Sequence, residues 1–198
     1  MPALGTHLRL ARCPHCGVDT PNLEQHWGGA VSSQHGNRYW VVYRCSRCGD
    51  LVMAVAPDAG REVFGVYPPV EIVHADVPPP ASEYLTQAIA SRHAPAGAVM
   101  LAASAVDAML KAKSYTEGSL YARIEKAARD HVITDEMAAW AHEVRLDAND
   151  QRHADEAATL PDSSDAARSI SFAKALAEFL FVLPAQVRRG RKPATPSA

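Results

Sequence analysis

Cys13-Pro14-His15-Cys16-Gly17 and Cys45-Ser46-Arg47-Cys48-Gly49 hold all four cysteines of a 198-residue chain, with 28 residues between the two pairs. Each CxxCG turn aims two thiolates at one point, and its glycine lets the backbone fold tightly behind them. Together the turns supply the tetrahedral four-sulfur shell that a structural Zn²⁺ prefers, at roughly 2.3 Å per bond. The spacing therefore predicts one zinc per chain, held by Cys13, Cys16, Cys45 and Cys48. A closed shell leaves no open coordination position, which argues against metal catalysis at this point. A redox dithiol would need one pair in a strand–helix–strand setting that this stretch lacks. Iron could occupy the same thiolates. His15 sits inside the first turn and could replace a cysteine, but four thiolates already complete the shell, so it reads as a solvent-facing side chain.

Outward from the second pair, Arg38 to Cys45 reads as a strand entering the turn and Leu51 to Ala56 as the strand leaving it. The unit reads as a zinc ribbon over residues 1–67. His26 and His35 fall between the pairs, in a stretch that reads as a Gly-rich loop, and carry no assigned role. Residues 66–82, VYPPVEIVHADVPPPAS, contain five prolines; proline removes donors and disfavours helix before it, so residues 68–81 read as an extended linker.

Beyond it the apolar spacing becomes helical. Ser82 can cap a first helix with Tyr84, Leu85, Ala88 and Ile89 on one side. Pro95 is placed to begin a second, with Val99, Ala102, Val106, Met109 and Leu110 in register. Leu120 to Arg129 forms a third around Ile124. Thr134, followed by Asp135 and Glu136, caps a fourth that carries Trp140 and Val144. Ser164-Asp165 opens a fifth whose end, Ala175 to Leu183, is apolar nearly all round, which requires burial in the core or against a second subunit. Pro184 marks its end or a kink. The fold class expected is α+β: a small β zinc ribbon followed by a bundle of about five helices in residues 82–184.

Lys plus Arg number 20 and Asp plus Glu 22. That balance lacks the strongly basic signature of a dedicated nucleic-acid binder. The charge is uneven: residues 82–184 carry a net −5 and residues 185–198 a net +4, so the end reads as a short basic, disordered tail. No secretory h-region and no uninterrupted apolar run of roughly 20 residues is visible, and the expectation is a cytoplasmic protein without a membrane partner. There is no GxGxxG, P-loop or GxSxG.

Several features occur in one order: CPHCG, a Trp–Tyr strand into CSRCG, a Tyr-Pro connector, Leu120-Tyr-Ala-Arg-Ile124, Trp140-Ala-His-Glu-Val-Arg145-Leu-Asp-Ala-Asn149 with His153, and Phe181-Val-Leu-Pro184. In these the chain resembles domain-of-unknown-function family 4145, in which a helical domain often follows a zinc ribbon. It is also similar to the wider HEPN superfamily. The resemblance implies a HEPN-like helical domain over 82–184, a homodimer, and work with RNA, DNA or nucleotides, in phage defence or restriction and toxin systems. Active HEPN members are metal-independent RNases with a composite cleft at the dimer interface. Two departures stand out. Ala148 replaces the glycine that the family usually has before the asparagine, and seven residues separate Arg145 from His153, where active members have four to six.

If the segment is helical, Arg145, Asn149 and His153 stand at i, i+4 and i+8, within an arc of about 80° but spread over about 12 Å of axis. Two antiparallel copies could bring Arg145 of one chain near His153 of the other. Histidine would then move the proton and arginine would stabilise the phosphoryl oxygens, with Asn149 orienting either. The plainer reading is structural: Asn149-Asp150 ending a helix or capping the next, Arg145 paired with Asp135 or Asp147, and His153 bound to a backbone carbonyl. His142 lies close enough to line the same cleft and reads as a surface histidine. The functional expectation is thus a zinc-binding nucleic-acid or nucleotide module. A metal-independent RNase using Arg145, Asn149 and His153, or a protein-interaction scaffold, stand as alternatives.

Overall fold

A computed structural model describes residues 2–34, 36–153 and 159–191; the side chains of Ser33 and of residues 150–153 lie outside that description. The chain divides into two compact units, Met1–Ile72 and Val73–Ala198, each with its own apolar core.

The first unit is an antiparallel meander: β1 (Leu23–Ser33), β2 (Gly36–Cys45), β3 (Leu51–Ala56) and β4 (Gly65–Tyr67), in sequence order across the sheet. Period-two alternation sends Val41, Tyr43 and Cys45 of β2, with Val52, Ala54 and Ala56 of β3, to the buried face. The N-terminal segment closes over them with Leu4 and Leu8. The hydroxyl of Tyr43 donates to the Gly5 carbonyl at 2.7 Å. β2 and β3 lie where the sequence puts them. The stretch expected as a Gly-rich loop is instead β1, with a bulge between Gln25 and Trp27 that places exposed His26; His35 lies outside the described residues. Glycine in a strand interior weakens the strand signal, yet here it makes room for a neighbouring ring: a Cβ at Gly29 would come within 2.9 Å of the Trp27 indole. β4 closes the unit at Tyr67, where the ribbon was expected to end.

The second unit is helical: α1 (Ala81–Ala90), α2 (Pro95–Ala112), α3 (Leu120–Arg129), α4 (Asp135–His153), α5 (Ser163–Ala177) and α6 (Leu183–Gly190). A π-helical turn, Glu178–Val182, joins the last two, so five helices stand among the described residues, the fifth continuous from 163 to 190. The architecture is α+β. α2 is the central helix, packed on α1, α3, α4 and α5; its buried Ala98, Ala102, Ala105 and Ala108 permit close approach. Trp140 of α4 meets Phe172 of α5 at 5.1 Å between ring centroids. Two helices, Pro95–Ala112 and the continuous one from Ser163 to Gly190, are long and apolar enough to cross a membrane. Half of the apolar stretch in each is buried in the fold.

The starts at Pro95, Leu120 and Thr134 follow the sequence, whereas the fifth helix is capped by Asp162, ahead of the expected Ser164-Asp165, and Ser82 is no cap. Ser119 accepts from the Ala122 amide, Thr134 from the Met137 amide, and Asp162 forms a capping box with Asp165. Ser82, expected as a cap, lies inside α1; its amide and that of Tyr84 find the carbonyls of Pro78 and Pro80 instead, so no side-chain cap is needed. Pro184 does not end the fifth helix. The π turn shifts the bonding so that Leu183 N–H reaches the Glu178 carbonyl, and Pro184 enters the first turn of α6, where a missing donor costs little. The segment expected to begin a disordered tail at residue 185 is therefore helical to Gly190. Arg189 holds Asp76 through two bonds of 2.9 and 2.8 Å. The rest of the tail, 192–198, lies outside the described residues.

Candidate functional site

The two CxxCG turns share one geometry. The Gly17 amide reaches the Cys13 carbonyl at 3.0 Å and the Gly49 amide reaches the Cys45 carbonyl at 2.8 Å. Both glycines have positive φ, 70° and 82°, a conformation that L side chains resist. The turns bring the sulfurs of Cys13, Cys16, Cys45 and Cys48 within 4.8 Å of one another, and Cys13 and Cys48 stand 4.0 Å apart. A tetrahedral shell with bonds of about 2.3 Å has sulfurs about 3.8 Å apart, whereas a disulfide needs about 2.05 Å. All four cysteines are free. Burial pushes the thiols of Cys13 and Cys48 up. Burial acts the same way on Cys45, but the amides of Cys48 and Arg47 and the neighbouring sulfurs donate to it and hold it below the ordinary thiol value. Four sulfurs converging on one point are a donor set that a soft or borderline cation fits, and these four residues can hold a metal ion.

His15 contributes no ligand. Its Nε2–H donates to the Leu51 carbonyl at 2.9 Å and ties the first turn to β3.

The second constellation lies within the helical unit. Ala138, Ala141, Val144 and Ala148 form the buried seam of α4. Arg145 and Asn149 stand one residue further round that helix, on the wall of a cavity of about 670 Å³ enclosed by the start of α1, the end of α2, the start of α3 and the middle of α4. α4 runs unbroken through Asn149 and Asp150 to His153, so this pair ends no helix. Arg145 and Asn149 thus share the cavity, whereas the His153 side chain lies outside the described residues.

Arg145 takes neither expected carboxylate. Asp147 is bound by Arg168 of α5 at 3.1 Å, and among the described residues no ion pair includes Arg145. Its guanidinium carbon stands 5.5 Å from the centre of the Tyr121 ring, and its buried Nε–H has no acceptor. The other cations on the wall are engaged: Asp107 receives Arg123 at 2.7 Å and Lys111 at 2.6 Å. The lining therefore carries three cations against one carboxylate, with Tyr84 and Tyr121 as ring surfaces. His142 is not a free surface group. It bonds Glu125 at 2.9 Å and packs on Tyr121 at 4.7 Å. Sequence reasoning did not single out Tyr84, Tyr121, Lys111 or Arg123; Tyr121 and Arg123 lie in Leu120–Ile124, whose polar positions were the available signal.

Residues 86–192, more than half of the chain, match the profile of the family described as "Domain of unknown function (DUF4145)". No curated protein and no solved structure matches the chain.

Proposed function

The chain belongs to the DUF4145 family, and from that premise we propose a zinc-binding, HEPN-like module whose helical unit takes a nucleotide or a nucleic-acid phosphate in the Arg145 cavity. One observation carries the reading: an arginine on the wall of a roomy cavity, without a carboxylate and with a buried Nε–H lacking an acceptor. An arginine on a cavity wall without a carboxylate carries an uncompensated charge, and an incoming anion would neutralise it. The two tyrosines offer faces for a base, and Asn149 offers both a donor and an acceptor for its edge. Zinc is the ion that four thiolates at this spacing suit best, in a structural role. A setting in phage defence or restriction follows from the HEPN resemblance alone. Calorimetric titration of AMP, ATP and short RNA into the zinc-loaded chain is the test. Arg145→Ala should weaken binding by about tenfold or more; equal binding by the variant would contradict the reading.

The continuity of α4 favours a second reading, a metal-independent RNase. It keeps Arg145, Asn149 and His153 at i, i+4 and i+8 on one helix. In a homodimer, Arg145 of one chain and His153 of the other would share a phosphate. Exposed Phe179, Leu183 and Val187, four residues apart near the end of the chain, support a dimer contact. On this reading, total RNA is cut in EDTA by the wild type and not by Arg145→Ala or His153→Ala. Equal cleavage by His153→Ala would remove histidine from the chemistry.

A further inference from the structure

The open face of the sheet carries aromatic rings in a deliberate order. Strand register places Trp27, Val42, Met53 and Tyr67 in one row across all four strands. The next row is Gly29, Trp40, Val55 and Gly65. Trp27 and Tyr67, on the two edge strands, are 50% and 46% exposed. Both rings lean toward the second row: the Trp27 indole lies where a Gly29 side chain would be, and the Tyr67 ring where a Gly65 side chain would be, within 3.3 Å of its Cβ. Tyr67 reaches Trp40 at 5.8 Å between centroids. The two glycines thus clear the backbone so that three rings form a strip across the strands. Arg38 and Arg44 of β2 lie on the same face, two and four residues from Trp40, and Arg38 covers the exposed Phe64 ring at 5.2 Å. The one carboxylate in these rows is Glu24, opposite Arg44.

From this juxtaposition we propose that the sheet face is a stacking platform for single-stranded nucleic acid, with Trp27, Trp40 and Tyr67 under successive bases and Arg38 and Arg44 toward the phosphates. Rings recognise any base through its π-face, and cations track the backbone without reading sequence. Two arginines against one carboxylate suit a polyanion rather than a neutral or basic peptide, and stacked rings suit bases. A duplex keeps its bases stacked on one another, out of reach of a flat sheet, so the ligand is unpaired. The platform lies in the sheet unit and stands independently of the Arg145 cavity.

The test uses the full zinc-loaded chain and fluorescein-labelled oligothymidylate and oligouridylate, read by anisotropy at two salt concentrations. Trp27→Ala/Tyr67→Ala should lose affinity by about tenfold or more, and Trp27→Phe/Tyr67→Phe should keep most of it. Arg38→Ala/Arg44→Ala should flatten the salt dependence. Zinc content and circular dichroism confirm that each variant is folded. Undiminished binding by Trp27→Ala/Tyr67→Ala overturns the platform, as does equal affinity for the matching duplex. Loss confined to Arg145→Ala would also overturn it while supporting the cavity. An absence of binding by the wild type overturns it and points to a protein on this face.

Discussion

Tyr43 is fully buried, and the hydrogen bond from its hydroxyl to the Gly5 carbonyl fixes the N-terminal segment over the sheet. Tyr43→Phe keeps the ring and strands that carbonyl, so the sheet unit should lose about 1 kcal/mol, measured as a shift in its urea midpoint at constant slope. Asp76 offers a case in pH. The hydrogen bonds from Arg189 hold its carboxyl below the usual carboxylate range. A folded-state value below the unfolded one gives stability that is complete above the unfolded pKa of about 3.9 and fades as pH falls through the lower folded value. Asp76→Asn should therefore speed amide exchange in Leu183–Gly190 at neutral pH, and the wild type should lose its advantage over the variant only below about pH 4. Identical exchange in both at neutral pH would show that the pair anchors nothing. These pairings also mark a limit of the sequence. Asp147 lies two residues from Arg145, yet Arg168 of another helix takes it; no local pattern says which cation a carboxylate meets once helices pack.

At the scale of elements, the legible features were those with local chemistry. The CxxCG turns, β2, β3 and the Thr134 cap are written in residues that act on near neighbours. Thr134→Ala should cost about 1 kcal/mol in the melting of the helical unit, since the Met137 amide loses its acceptor. β1 was hidden because Gly28 and Gly29 remove the strand pattern, and what Gly29 accommodates is a ring two residues away along the strand. The helical continuation past Pro184 was hidden because it depends on a π turn, a backbone event that the composition of Glu178–Val182 does not announce. Cys45→Ser tests the ribbon as an element. Binding of a structural ion is folding free energy, so the variant should hold no stoichiometric zinc by elemental analysis and lose the β sheet. The helical far-UV signal should persist, because the helical unit has a separate core. Full zinc occupancy in the variant would refute the four-sulfur assignment.

Over the whole molecule, the sequence foretold an α+β chain with a cysteine-rich sheet first and helices after, and placed Arg145 and Asn149 together on one helix. It did not foretell the cavity they line, because four separate elements build its wall. The apolar residues left exposed near the C-terminus, Phe179, Leu183 and Val187, predict a dimer by light scattering at micromolar concentration; Leu183→Asp/Val187→Asp should give a folded monomer, and an unchanged mass would assign the contact elsewhere. The central claim concerns Arg145, and its own side chain can report on it. In a proton–nitrogen correlation spectrum of the zinc-loaded chain, the Arg145 Nε–H resonance, identified by its absence in Arg145→Lys, should move saturably as AMP or a short RNA is added. A resonance that stays in place while those ligands bind, or while none of them binds, would contradict the account.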